Sequence, residues 1–192
     1  MRFSRYKNQL CLHFNNLGIN DISWVELNEK SIKEAFFAFT RTNSIIQETP
    51  INEVDFAYKF LAIDFANNRL EKVHLTAVTK YMFPIFQEIF NDNIFLDSVF
   101  KIFCNLSLSQ FQAQIETFNF TYNSIISFAI GDGNFTNLKV LLFNHNSLRS
   151  IPSDIHSVLP SLSILSLSSN LFDTESDLDN FVNHTKLIFF DI

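Results

Sequence analysis

Hydrophobic positions in the C-terminal part of the chain recur in a fixed order. Three segments share apolar residues at positions 1, 4, 6 and 11 and Asn at position 9. They are Ile115-x-x-Phe118-x-Phe120-x-x-Asn123-x-Ile125, Leu138-x-x-Leu141-x-Phe143-x-x-Asn146-x-Leu148 and Leu162-x-x-Leu165-x-Leu167-x-x-Asn170-x-Phe172. The alternation at positions 4 and 6 predicts a short strand with every second side chain buried. The steady spacing of 23 and 24 residues predicts stacked copies, because no single copy can bury its own apolar side.

Further copies of the pattern lie toward the N-terminus. One fits at every position, Phe60-x-x-Ile63-x-Phe65-x-x-Asn68-x-Leu70, and another fits without its first hydrophobic residue, Leu10-x-Leu12-x-x-Asn15-x-Leu17. Two weaker copies pass through Asn43 and Asn93. After the copy that contains Asn68, the apolar spacing of residues 71–82 predicts a helix.

The repeated pattern L-x-x-L-x-L-x-x-N-x-L resembles the leucine-rich repeat family, with Phe at many of the Leu positions. The resemblance implies an α/β solenoid, a leucine-rich-repeat arc with a concave parallel β-sheet and helical or irregular convex return segments. It also implies that each repeated Asn bonds backbone groups of its own turn and of the neighbouring repeat. The structural Asn ladder expected from the resemblance is Asn15, Asn68, Asn123, Asn146 and Asn170.

The domain organisation has two interpretations. In the first, residues 1–192 form one array, with irregular and longer repeats in 1–110 and regular repeats of 23–25 residues in 111–192. In the alternative, a helical N-terminal domain precedes a short array, because segments such as residues 77–90 have helix-compatible apolar spacing. The lack of a Gly/Ser/Pro-rich linker favours the first. The final Leu187-x-x-Phe190-x-Ile192 repeats only half of the pattern, so we expect either a C-terminal truncation or a partner that covers the last strand.

Composition limits the class of protein and of partner. Hydrophobic residues make up 47% of the chain and Phe alone occurs 24 times, which excludes a disordered tail. Fourteen basic against 20 acidic residues give a net charge of −6, which argues against nucleic acid as a partner. The sequence has no continuous apolar stretch long enough for a signal peptide or a membrane span, so we expect no membrane insertion and a cytoplasmic location.

The sequence has no motif of an enzyme, of a cofactor site or of a metal site. Its Gly131-Asp132-Gly133-Asn134 segment lacks the alternating acidic ligands and the terminal Glu of a calcium loop, so it predicts a turn between two strands. The five histidines form no metal-ligand pair, and no Ser-His-Asp arrangement is visible. We therefore expect no catalytic residues, no cofactor and no bound metal.

Partners of leucine-rich arcs bind the concave sheet, so the resemblance implies a binding role for side chains between the inward ones. On this sequence the central column would be Cys11, Asp64, Asn119, Leu142, Ser166 and Asp191, and the adjacent column His13, Ala66, Thr121, Asn144 and Ser168. Of these, we expect partner contacts at Asp64, Asn119, Thr121, Leu142, Asn144, Ser166 and Ser168, unless the side chains are merely solvated.

The function that the resemblance implies is that of a non-enzymatic protein–protein interaction module, a scaffold or a regulatory subunit. Its partner would be a protein whose identity the sequence does not give. The alternatives are the targeting region of a larger signalling enzyme (a phosphatase, kinase or cyclase) and a GTPase-activating protein of the leucine-rich type. Fold analogy alone does not distinguish these functions.

Overall fold

The computed structural model describes residues 2–6, 9–19, 60–91, 106–173 and 189–191. Its strands are β1 (Arg2–Tyr6), β2 (Gln9–His13), β3 (Phe60–Asp64), β4 (Lys72–His74), β5 (Ile115–Asn119), β6 (Ser127–Ala129), β7 (Val140–Leu142), β8 (Ile164–Ser166) and β9 (Phe189–Asp191). Seven of them form one sheet in the order β1-β2-β3-β5-β7-β8-β9. The β1–β2 pair is antiparallel and every other neighbouring pair is parallel. The prediction of an α/β protein with a parallel sheet is confirmed at this level.

Helices and a second, smaller sheet occupy the segments between these strands. The helices are α1 (Leu75–Asn91), α2 (Leu108–Ala113) and α3 (Ile155–Val158). Strands β4 and β6 pair in parallel, with Val73 opposite Phe128. The helix predicted within residues 71–82 is confirmed, although it begins at Leu75 and continues past Pro84 to Asn91. In the described part of the chain, no helix is both long and apolar enough to cross a bilayer.

One continuous core lies on one side of the main sheet and extends under the connections. Among the described side chains, the inward strand residues of the repeated pattern, such as Ile63, Phe118, Leu141 and Leu165, are buried there. Four fully buried Phe rings stand in a row across neighbouring strands, Phe14, Phe65, Phe120 and Phe143. Their successive centroids are 5.1, 5.6 and 5.2 Å apart, and their planes lie within 16° of parallel. Aromatic stacking from strand to strand thus accounts for part of the unusual Phe content.

Strands that are adjacent in the sheet are separated by very different lengths of chain. Leu10 lies opposite Leu61, 51 positions away, and Ile63 lies opposite Phe118, 55 positions away. From Phe118 to its partner Leu141 the offset is only 23. Strands from the first 110 residues therefore belong to the same sheet as the regular C-terminal strands. The chain segments that join these N-terminal strands are longer than those between the C-terminal strands.

The two weaker copies of the pattern add no strands between their neighbours. Residues 85–90, which belong to the copy at Asn93, are helical in α1, and β3 is hydrogen-bonded directly to β5. That copy was therefore a wrong interpretation of an amphipathic helix. The copy at Asn43 lies outside the described residues, and β2 bonds directly to β3.

Candidate interaction surface

Asn146 ties its own turn to the neighbouring strand through three hydrogen bonds. Its Nδ2 donates to the carbonyl of Phe143 at 2.9 Å and to the carbonyl of Phe120 at 3.0 Å. Its Oδ1 accepts the backbone N–H of Ile125 at 2.9 Å. Asn146 is only 8% exposed. Without it the Ile125 N–H would lie buried without a partner, whereas the carbonyls of Phe120 and Phe143 each accept a second bond, from Asn123 and Asn170. An amide supplies two N–H donors and a carbonyl acceptor on one short side chain.

The same arrangement is found at Asn68, Asn123 and Asn170. In each, Nδ2 donates to the carbonyl three residues earlier and to the equivalent carbonyl of the preceding strand. In each, Oδ1 accepts a backbone N–H from the preceding connection. Four of the five residues expected in the Asn ladder thus make equivalent contacts. These contacts fix the register between neighbouring strands.

Asn15 was wrongly assigned to this ladder. Because Leu12 lies opposite Ile63, the position of β2 that corresponds to Asn68 is Leu17. Asn15 is two residues earlier, and its Nδ2 donates to Asp64 Oδ2 at 3.0 Å instead. A shift of two residues leaves the alternation of buried and exposed positions unchanged, so the hydrophobic pattern could not detect it.

We call the side of the main sheet that faces away from the core the open face. Strand register defines its central column, with one residue from each of the six parallel strands: His13, Asp64, Asn119, Leu142, Ser166 and Asp191. In β3 and in every later strand of the column, the residue is the one expected from the sequence. On β2 it contains His13 in place of Cys11, because Cys11 lies opposite Ala62. The reason is the two-residue shift that also displaced Asn15.

Two further columns flank the central one. On the ladder side, backbone hydrogen bonds between successive strands place Ala66, Thr121, Asn144 and Ser168 in one row, as expected, with Asn15 at its β2 end. On the other side is an unexpected row of mostly apolar, partly exposed residues, Cys11, Ala62, Thr117, Val140 and Ile164. The pattern leaves this position unspecified, but its run of small and β-branched residues is visible in the sequence. The open face therefore has an apolar row beside two polar ones.

The side chain of Asp64 has three polar neighbours on the open face. Its Oδ2 lies 3.0 Å from His13 Nδ1 and accepts a hydrogen bond from Asn15, and its Oδ1 accepts the backbone N–H of Ala66 at 3.0 Å. The side chains of His13 and Asp64 are 17% and 18% exposed. The carboxylate is thus held in one orientation by groups from two strands.

Other polar side chains of the open face are also fixed by neighbours. Asn144 Nδ2 donates to Ser166 Oγ at 2.6 Å and to Ser168 Oγ at 2.7 Å. Asn119 Oδ1 accepts the backbone N–H of Thr121 at 3.0 Å. Side chains held in this way lose less conformational freedom when a partner binds. Among the described side chains, no group of three or more His, Cys, Asp or Glu is arranged to hold a metal ion.

An aromatic pair lies at the edge of the open face, one residue beyond the ladder-side column. The rings of Tyr122 and His145 stack with centroids 4.2 Å apart and planes 12° from parallel. Both residues are exposed, Tyr122 at 55%. The sequence pattern missed this pair because it treats the position before the ladder Asn as variable. Two aromatic residues at that position in successive copies were the available signal.

The segment Gly131-Asp132-Gly133-Asn134 lies between β6 and β7, as predicted, and packs on helix α1. Thr76 Oγ1 donates to the carbonyl of Ile130 at 2.7 Å, and the backbone N–H of Asn134 donates to Gln112 Oε1 at 3.0 Å. Gln112, which is buried, donates in turn to Thr79 Oγ1 at 2.8 Å. The segment therefore connects α1, α2 and the sheet on the core side, away from the open face.

Comparison with known proteins does not assign this chain to a family or a function. No protein-family model matches the chain, and no curated protein and no solved structure matches it significantly. The residues of the open face and of its edge are therefore the basis for a functional conclusion.

Proposed function

We propose that this chain is a leucine-rich-repeat solenoid that acts as a non-enzymatic protein–protein interaction module. In this proposal the open face is the concave surface of the arc, and a partner protein binds across its strands. The module serves as a scaffold or as a regulatory subunit. The two polar columns provide specificity for the partner, and the apolar row provides surface that is buried from water when the partner binds.

The solenoid part of the proposal is supported by strand order and by the Asn contacts. Neighbours in the main sheet follow one another along the chain, with β4 and β6 set aside in the second sheet. Asn68, Asn123, Asn146 and Asn170 make equivalent bonds to the preceding strand. Each unit thus contacts its chain neighbours, as a stacked-repeat protein requires, and this supports the proposal.

The binding part of the proposal depends on one observation, the central column of the open face. Each of the six parallel strands places one residue of this column in register, and adjacent strands of a sheet are about 4.8 Å apart. His13, Asn15 and the Ala66 N–H orient Asp64, and Asn144 is oriented by two serines. A rigid row of oriented polar groups beside partly exposed Leu142 and Ile164 is suited to recognition of a protein surface.

The test starts with capture of partners from the native cell by the immobilised protein, with identification by mass spectrometry. The captured partner is then purified and its binding to two substituted proteins is measured. Leu142→Arg and Thr121→Arg place a large charge on the open face and are expected to weaken binding at least tenfold. The matched controls Leu171→Arg and Thr136→Arg change the same residue types at exposed positions outside the three columns, and they should bind normally.

The reverse result would contradict the proposal. If Leu171→Arg and Thr136→Arg abolish binding while Leu142→Arg and Thr121→Arg retain it, the partner uses another surface. Circular dichroism of all four variants checks that each is folded, so that a loss of binding is not a loss of structure.

A further inference from the structure

Five residues at the edge of the open face have a left-handed backbone conformation. Their φ angles lie between 53° and 58°, and they account for all the non-glycine residues with positive φ in the described segments. Each stands directly before the ladder position of its strand: Asn16, Asn67, Tyr122, His145 and Ser169. The first four donate their backbone N–H to the carbonyl that precedes the next member of the row. They therefore form a single row, in register, from strand to strand.

The five residues of this row share one backbone conformation but differ in side chain. Asn tolerates positive φ best among the residues that have a side chain, and Asn occupies the row at positions 16 and 67. His also tolerates this conformation, but for the bulky Tyr122 it is unfavourable. Burial does not offset that cost, because Tyr122 is 55% exposed. A Tyr at a costly, exposed position, stacked on an exposed His, indicates a role in binding.

The geometry of the row leaves one face of the Tyr122 ring accessible. His145 covers the other face, with the two centroids 4.2 Å apart. On the accessible side the next member of the row is Asn67, whose side chain is short and exposed. Neighbouring strands are about 4.8 Å apart, so the space above Asn67 admits one further planar group stacked on Tyr122.

The charge of the chain selects among planar groups. With 14 basic and 20 acidic residues the net charge is −6, which attracts cationic partners and repels polyanions such as nucleic acid. The planar cation of proteins is the arginine guanidinium, which stacks on Tyr faces and donates hydrogen bonds in its own plane. A lysine ammonium has the same charge but no plane to stack.

We propose that Tyr122, backed by His145 and flanked by Asn67, binds an arginine side chain of the partner protein. This inference rests on the proposed function and adds to it the chemistry of one contact. The stacked pair supplies the rigid aromatic anchor that the small polar residues of the open face lack. The arginine lies at the ladder edge of the open face, so the partner extends over that edge.

The test is a titration of the whole chain with short peptides, observed through the aromatic ¹H–¹³C signals of Tyr122 and His145. The probes are a heptapeptide with alternating Gly and Arg, the same peptide with Lys in place of Arg, and oligo-dT of twelve nucleotides. The arginine peptide is expected to shift both ring signals saturably. Its half-saturation concentration should be about three- to fivefold lower than that of the lysine peptide. Equal affinities, or tighter binding of oligo-dT, would overturn the proposal.

Substitutions within the row provide the control. Tyr122→Gly removes the anchor at a position where glycine is conformationally favoured, so the protein should fold and should lose the preference for arginine. Asn16→Gly makes the same kind of change in the same row, away from the stacked pair, and should keep the preference. Equal loss in both variants, or loss in neither, contradicts the assignment.

Failure of this contact can be separated from failure of the proposed function. Leu142→Arg is expected to abolish capture of the partner while leaving the peptide titration unchanged. If the peptides show no preference while Leu142→Arg still weakens partner binding, only the arginine contact is overturned. If the preference is present and Leu142→Arg leaves partner binding intact, only the open face is overturned.

Discussion

Asn146 donates a hydrogen bond from its side-chain amide to the backbone carbonyl of Phe120, 26 positions earlier and one strand away, at 3.0 Å. The same amide group also bonds Phe143 and Ile125, so one buried side chain satisfies backbone groups of two successive units. Loss of such a contact is expected to lower stability mainly when it leaves a buried donor or acceptor without a hydrogen-bond partner.

The first prediction concerns this amide. Asn146→Leu keeps the volume but removes the amide, and it should lower the free energy of unfolding by about 2–3 kcal/mol, because the buried Ile125 N–H loses its partner. The carbonyls of Phe120 and Phe143 keep their bonds from Asn123 and Asn170. Asn15→Leu removes a single bond, to Asp64, at a partly exposed site, and should cost about 1 kcal/mol. Urea unfolding followed by circular dichroism measures both. Equal losses would contradict the exclusion of Asn15 from the ladder.

The second prediction concerns the left-handed row. Ser169 is exposed and has a φ of 58°, so Ser169→Gly removes an unfavourable conformation and should raise the free energy of unfolding by about 0.5–1 kcal/mol. Ser147→Gly changes the same residue type where φ is not positive, and it should lower stability because glycine gains freedom in the unfolded chain. Urea midpoints that move in the same direction for both variants would count against this explanation.

The third prediction compares two glycines with positive φ. A Cβ on Gly131 would lie 2.8 Å from Thr76 Oγ1 and would also collide with the His74 ring. Gly131→Ala should therefore cost about 3 kcal/mol, from backbone strain and from displacement of helix α1. Gly18 has a φ of 67° and no atoms within 4 Å of such a Cβ, so Gly18→Ala should cost only about 1 kcal/mol. Thermal unfolding of the two variants tests the difference.

The fourth prediction concerns the row of Phe rings in the core. Phe120 lies between Phe65 and Phe143, and Phe120→Ala should cost about 3–5 kcal/mol. In double-mutant cycles, Phe65→Leu and Phe120→Leu should couple by about 1 kcal/mol, since these rings are in contact. Phe14→Leu and Phe143→Leu, which are separated by the other two rings, should be additive. Coupling of the distant pair as strong as that of the adjacent pair would mean that the stack does not act through contacts.

The regular part of the sheet could be predicted from sequence because its information is local. Around Asn123, Asn146 and Asn170 a strand, a turn and a hydrogen-bonded amide occur within eleven residues and repeat at nearly constant spacing. The inward residues of these copies are buried as expected, except Phe172, which is partly buried. The prediction depended only on side-chain alternation and on the need of each unit to be covered by its neighbours.

The parts that could not be predicted depend on contacts distant in sequence. The assignment of Asn15 failed because a shift of two residues preserves alternation, and only the pairing of Leu12 with Ile63 fixes the register. Residues 85–90 of the copy at Asn93 belong to an amphipathic helix whose apolar spacing resembles the strand pattern. The Tyr122–His145 stack requires two residues to be neighbours in space, which no single copy shows.

The unequal offsets between paired strands imply an order of folding. Joining β5 to β7 closes a loop of 23 residues, whereas joining β3 to β5 closes one of 55, at an extra entropic cost of about 0.8 kcal/mol. Phe118 can therefore meet Leu141 sooner than it meets Ile63. In pulse-labelled hydrogen exchange, amides of β5 and β7 should gain protection before those of β3. The regular C-terminal strands would then form the nucleus on which the N-terminal strands, with their long connections, assemble last.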